Sequence, residues 1–230
     1  MNDLGTRFYN AFIAKERYML YLEGLGLTIS ISITAGIIGI ILGVILALMR
    51  LSEPKKGRKR TILCTISTAY SDVIRGTPSV LQLLIMWFVI FSSSKNGFLV
   101  AALSFGINSG AYVSEIIRAG ILAVDKGQME AGLSLGLTKA QTMKQIILPQ
   151  AVKNVLPPIG NEFITLIKET AIVGYVSLSD LTRVANQVSS RTYDAFMPLI
   201  GAAIVYFVII KILTLLLGKL ERNLRKSDNR

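Results

Sequence analysis

From Gly24 to Met49 the sequence runs 26 residues without a charged side chain. A helix needs about 20 apolar residues to cross the hydrocarbon core, because lipid offers backbone N–H and C=O groups no partners and forces them to bond within the segment. A stretch this long, placed after Arg7, Lys15, Glu16, Arg17 and Glu23, exceeds the apolar part of a secretory signal and reads as a membrane span. Gly36, Gly39 and Gly43 are placed to let a second helix come close, the last two forming a GxxxG. Four more apolar stretches follow, at about 79–94, 97–117, 155–176 and 196–217. The second is short for a crossing, which suggests that the turn Arg75-Gly76-Thr77-Pro78 before it already lies at membrane depth as a broken helix. The expectation is an all-α integral membrane protein, one transmembrane domain over residues 1–230 with five spans.

Charge placement separates a membrane reading from a nucleic-acid one. The net charge is +11, yet the 25 Lys and Arg gather at the ends of apolar runs. The densest run, Arg50 to Arg60, holds Pro54 and Gly57 and no interleaved aromatic residues. Such a run suits a loop against anionic headgroups, and no nucleic-acid partner is expected. With five spans and a cytoplasmic C-terminus, sixteen basic residues fall in inside segments and six in outside ones, so the positive-inside rule predicts the N-terminus outside. With Cys64 the only cysteine and no histidine, neither an internal disulfide nor an ordinary His/Cys metal site is expected.

The segment from Asp125 to Ala151 is too polar to span and too patterned to be a linker. Met129, Leu133 and Leu137, then Met143, Ile146 and Ile147, recur at helical spacing, predicting two short amphipathic helices joined near Gly136. By itself that describes a helical hairpin against a membrane or a protein, or a structural loop. Its finer spacing is more specific. Glu130-Ala131-Gly132, three residues, Gly136, nine residues, Ile146, one residue, Leu148-Pro149 resembles the EAA loop of ABC importer permeases, with Gly132 where that pattern prefers Ala. Arg75-Gly76-Thr77-Pro78 with Gln82, Ser114 to Gly120, Pro157-Pro158 with Asn161-Glu162-Phe163, and Lys168-Glu169-Thr170 resemble the polar amino-acid branch of that family over residues 20–222.

The resemblance implies a type I ABC importer permease in the bacterial cytoplasmic membrane. It would work as a homodimer or heterodimer of permeases, with two cytoplasmic ATP-binding subunits and an extracytoplasmic solute-binding protein. It also implies that the loop is a coupling helix seated in a groove of the ATPase, with Glu130, Ala131, Gly132, Leu133, Gly136 and Leu137 at the contact. No GxxxxGK[ST] occurs, so no enzymatic activity is expected of this chain, and ATP and Mg would be bound by the partner. No cofactor is expected here.

Ionisable residues at membrane depth are functional candidates because they are costly there. At 100° per residue Asn161, Glu162, Thr165, Lys168 and Glu169 fall within an arc of about 120°, a polar stripe suited to the zwitterionic head and polar side chain of an amino acid. Two carboxylates make a cationic amino acid attractive as substrate. The alternative is that Lys168 pairs with a neighbouring carboxylate and only fixes packing. Asp72 and Arg75, three apart, could pair along one helical face, with substrate contact, gate closure and simple structural pairing all open readings, and Thr77 in the adjoining turn is a further candidate contact. Two other readings stay open: an ion-coupled secondary transporter using the carboxylates, and a non-transporting membrane scaffold.

Overall fold

The computed structural model describes residues 3–51 and 61–226, with side chains up to Met49–Arg50 and from 61 to 224. Most of the basic run expected to touch headgroups lies outside the described residues. Every described element is helical. Helix α1 (Leu4–Phe8) continues through a π-turn, Tyr9–Ile13, and a short 3₁₀ turn to α2 (Arg17–Leu51). There follow α3 (Ile62–Arg75), α4 (Ser79–Ile85) extended by a π-turn to Ile90, and α5 (Gly97–Leu122). The hairpin is α6 (Lys126–Ser134) and α7 (Lys139–Thr142); a π-turn, Met143–Ile147, then leads into α8 (Leu148–Glu169). A 3₁₀ stretch, Thr170–Val176, precedes α9 (Leu181–Thr192) and α10 (Phe196–Lys226).

Local chemistry sets these boundaries. Thr61 caps α3 by accepting from the Cys64 amide at 3.2 Å, and Asp180 caps α9 by accepting from the amides of Thr182 and Arg183. Pro78, which has no N–H to donate, stands just before α4, so α3 and α4 are separate helices. Among the described residues, α2 with its N-terminal extension, α5 and α10 are each long and apolar enough to cross a membrane, and α3 with α4 and its π-extension make a fourth only as one bent pair. The break expected at Arg75–Pro78 is there. Helix α8 carries Lys153, Glu162, Lys168 and Glu169, so composition alone does not make it a crossing.

The described chain divides into two compact units, one of residues up to Ile37 with Pro78–Gly106 and Phe163–Leu215, the other of Ile38–Thr77, Ile107–Glu162 and Leu216 onward. The first has two cores. Ile31, Ala35, Leu83, Phe105, Leu166 and Val173 form one; Tyr21, Leu181, Val184, Val188 and Ala202, with Phe12 against them, form the other. Its N-terminal arm is tied to the α9–α10 corner: the Arg7 guanidinium donates to both Asp194 oxygens, at 2.6 and 2.8 Å, and lies 5.3 Å from the Phe196 ring centroid.

In the second unit α5 side chains pack directly on the α2 backbone at glycines the sequence singles out. A Cβ on Gly39 would lie 2.9 Å from Ser109 Cβ, and one on Gly43 only 2.5 Å from a Val113 methyl. Helix α3 joins them through hydroxyls: Ser67 donates to Leu46 O at 2.9 Å and Tyr70 to Ile107 O at 2.7 Å. Buried Val124, Ile147 and Ala151 fasten the hairpin to the ends of α5 and α8.

Candidate functional site

The hairpin takes the expected form. Asp125 caps α6 through the Gly127 amide, and Thr138 with Gln141 forms a reciprocal capping box on α7. Gly136 joins the two helices at φ +83°, a conformation a side chain disfavours. The Leu135, Gly136 and Leu137 amides donate back to Ala131, Leu133 and Gly132 carbonyls, closing the turn. Glu130, Ala131, Leu133 and Gly136 are exposed, and Leu137 is partly so. Leu135, which helical spacing does not single out, is 81% exposed on the same turn. Gly132 differs from its neighbours. It is buried, and a Cβ there would sit 2.4 Å from Thr142 Cγ2, so this glycine lets α6 cross α7 closely.

In the second unit Glu162 of α8 is partly exposed and accepts from Ser109 Oγ of α5 at 2.9 Å. Asn161 beside it is exposed and lines a cavity of about 430 Å³ with Lys153, Asn154, Pro157, Pro158 and Glu221. Pro157 and Pro158 lie inside α8, where they withhold two amide donors from the carbonyls of Lys153 and Asn154 on that same cavity wall. In the first unit, on the continuation of α8, Lys168 is exposed while Thr165 and Glu169 are partly so. Lys168 makes no ion pair with a described residue. Thr77 is exposed and donates to Val73 O at 3.0 Å; Asp72 is exposed on the last turn of α3.

The Asp72–Arg75 pair that spacing allows does not form. Arg75 lies instead 3.9 Å from Glu115 Oε2 and 5.4 Å from the Tyr112 ring centroid. Arg118 Nε donates to Glu115 Oε1 at 3.1 Å, and Arg50 donates to Oε2, a long-range contact that no sequence spacing signals. Exposed Asp72 attracts through a screened path, whereas the partly sheltered Glu115 carboxylate draws three guanidinium groups.

Residues 39–226 match the family described as binding-protein-dependent transport system inner membrane component. The chain belongs to that family. The permease is 44% identical over 210 residues to the arginine transport system permease protein ArtQ of Bacillus subtilis, covering 90% of this chain and 93% of the relative. It is 40% identical over 211 residues to a putative glutamine transport system permease protein GlnP of Rickettsia bellii, covering 90% and 94%. A solved structure described as an amino acid ABC transporter with histidines superposes with a TM-score of 0.83 at 42% identity, over 92% of this chain and 98% of that one. An inward-facing methionine ABC transporter, MetNI, superposes with a TM-score of 0.78 at 17% identity and shares the fold.

Proposed function

We propose that this permease forms half of the path of an ATP-driven amino-acid importer, with five crossings, the N-terminus outside and the C-terminus in the cytoplasm. The observation that carries the reading is the capped hairpin that holds Glu130, Leu133 and Leu135 out from the protein. A groove on an ATP-binding subunit that takes this turn gains apolar area at Leu133 and Leu135 and grips a short, rigid lever. Two such subunits would bind ATP and Mg, a second permease would complete the path, and an extracytoplasmic binding protein would deliver the solute. The permease then needs only two packings of similar free energy for its partners to tip.

For substrate we propose a cationic amino acid, met by Glu162 or Glu169 with Asn161, Thr165, Lys168, Asp72 and Thr77 as further contacts. A relative named for arginine and a solved neighbour described with histidines support that choice. The test is uptake into proteoliposomes holding the whole complex. Arginine uptake should require ATP, and a cysteine at Leu133 should cross-link to the ATPase. Glu162→Gln or Glu169→Gln should raise the KM for arginine. Uptake that persists without ATPase but collapses with an uncoupler would replace this reading with ion-coupled transport. Arginine binding unchanged in both glutamine variants would remove the carboxylates from the site.

A further inference from the structure

We propose that Ser109 of α5 is a specificity-determining positioning residue, which holds the Glu162 carboxylate in the orientation that receives a cationic side chain. The inference rests on the reading of Glu162 as a substrate contact and adds a residue that the stripe on α8 does not contain. Ser109 is 1% exposed, so no ligand reaches it directly. Its hydroxyl donates to Glu162 Oε1 at 2.9 Å, and no described residue donates to Oε2. A glutamate side chain has three rotatable bonds, and fixing one oxygen leaves the other aimed in one direction.

The wall behind Ser109 is built for this. Gly39 of α2 leaves no room for a methyl there, since a Cβ would stand 2.9 Å from both Ser109 Cβ and Oγ. On the adjacent residue, Gly110, a Cβ would meet the Leu42 side chain at 2.9 Å. Close packing of α2 on this side holds the α5 turn carrying Ser109 in place. An amino acid with a guanidinium or ammonium side chain finds a preset acceptor at Oε2. A neutral side chain gains much less from it, so the effect falls on discrimination between the two classes.

The experiment measures KM and kcat for labelled arginine and for labelled glutamine in proteoliposomes carrying the complete transporter, for the wild type, Ser109→Ala, Glu162→Gln and the double variant. Ser109→Ala should raise the arginine KM relative to the glutamine KM by about tenfold, the size expected for one hydrogen bond to a charged group. In the Glu162→Gln background the same change should move that ratio by less than about twofold, since the two side chains act as one unit. Gly39→Ala, which keeps the serine but crowds it, should shift the ratio in the same direction. A purely structural role would lower kcat for both amino acids alike and leave the ratio alone, and that result overturns the proposal. If Glu162→Gln moves the ratio while Ser109→Ala does not, Glu162 keeps its role and Ser109 loses its own. If Glu162→Gln moves neither KM, the underlying reading fails first.

Discussion

Replacing Gly132 by the alanine that the EAA pattern prefers should weaken the hairpin of this permease, and removing the Thr142 side chain should reverse the sign. Alanine at a helix interior position is favoured over glycine by up to about 1 kcal/mol. Here the new Cβ would stand 2.4 Å from Thr142 Cγ2 and 2.8 Å from its Oγ1. Thr142 has little freedom to yield: it is fully buried, its β-branch restricts χ1, and its hydroxyl donates to Thr138 O at 3.0 Å. Overpacking of this kind costs about 1–3 kcal/mol, which outweighs the propensity gain. In Thr142→Ala the nearest remaining atom of that residue is its Cβ at 3.1 Å, a contact that a shift of a few tenths of an ångström relieves. Gly132→Ala should then stabilise the hairpin, giving a coupling between the two sites of about 1–3 kcal/mol. Amide hydrogen exchange across residues 126–142 of the purified permease measures the local opening free energy. Equal protection changes on Gly132→Ala in both backgrounds would refute the argument that contact with Thr142 keeps this position a glycine.

Leu135→Glu places a charge on a side chain that is already in solvent, so it should change permease stability by less than about 0.5 kcal/mol. It should nevertheless reduce substrate-stimulated ATP turnover of the complex severalfold, and full turnover would exclude Leu135 from the docking face. At the α9–α10 corner, the Arg7 guanidinium hydrogen-bonded to Asp194 holds that carboxyl below its ordinary value of 3.8. A depressed carboxyl adds stability above its unfolded pKa and loses it as pH falls through the folded one. The N-terminal arm should therefore loosen in acid, read as increased mobility of a spin label at Leu4. Asp194→Asn should loosen it at pH 7 and remove the pH dependence; an unchanged acid response would place its source elsewhere.

Features set by neighbours along the chain are legible in the sequence. The helical spacing of Met129, Leu133, Met143 and Ile147 and the presence of Gly136 announce the hairpin because periodicity and a left-handed turn are local chemistry, and Arg75-Gly76-Thr77-Pro78 announces the broken helix for the same reason. Contacts between distant residues are not legible in this way. Arg50 is 65 residues from Glu115, and Ser109 is 53 from Glu162, with no periodicity linking either pair. Three-residue spacing puts Asp72 and Arg75 on one face and so suggests a pair, but spacing carries no information about a better acceptor on another helix. The departure from the EAA pattern at Gly132 is visible in the sequence, while its cause, the side chain of Thr142, is a matter of how α6 crosses α7.

From Lys139 through the π-turn at Met143–Ile147 to Glu162 the chain never leaves helical form. At 1.5 Å per residue this is a rod of about 35 Å. On the proposed coupling, a displacement applied by an ATPase at the hairpin would travel along this continuous helix toward the carboxylate bonded to Ser109. Pro157 and Pro158, which loosen the rod's internal bonding beside the cavity, are where it would flex, so the angle at those two residues would set how far the acceptor swings with each stroke.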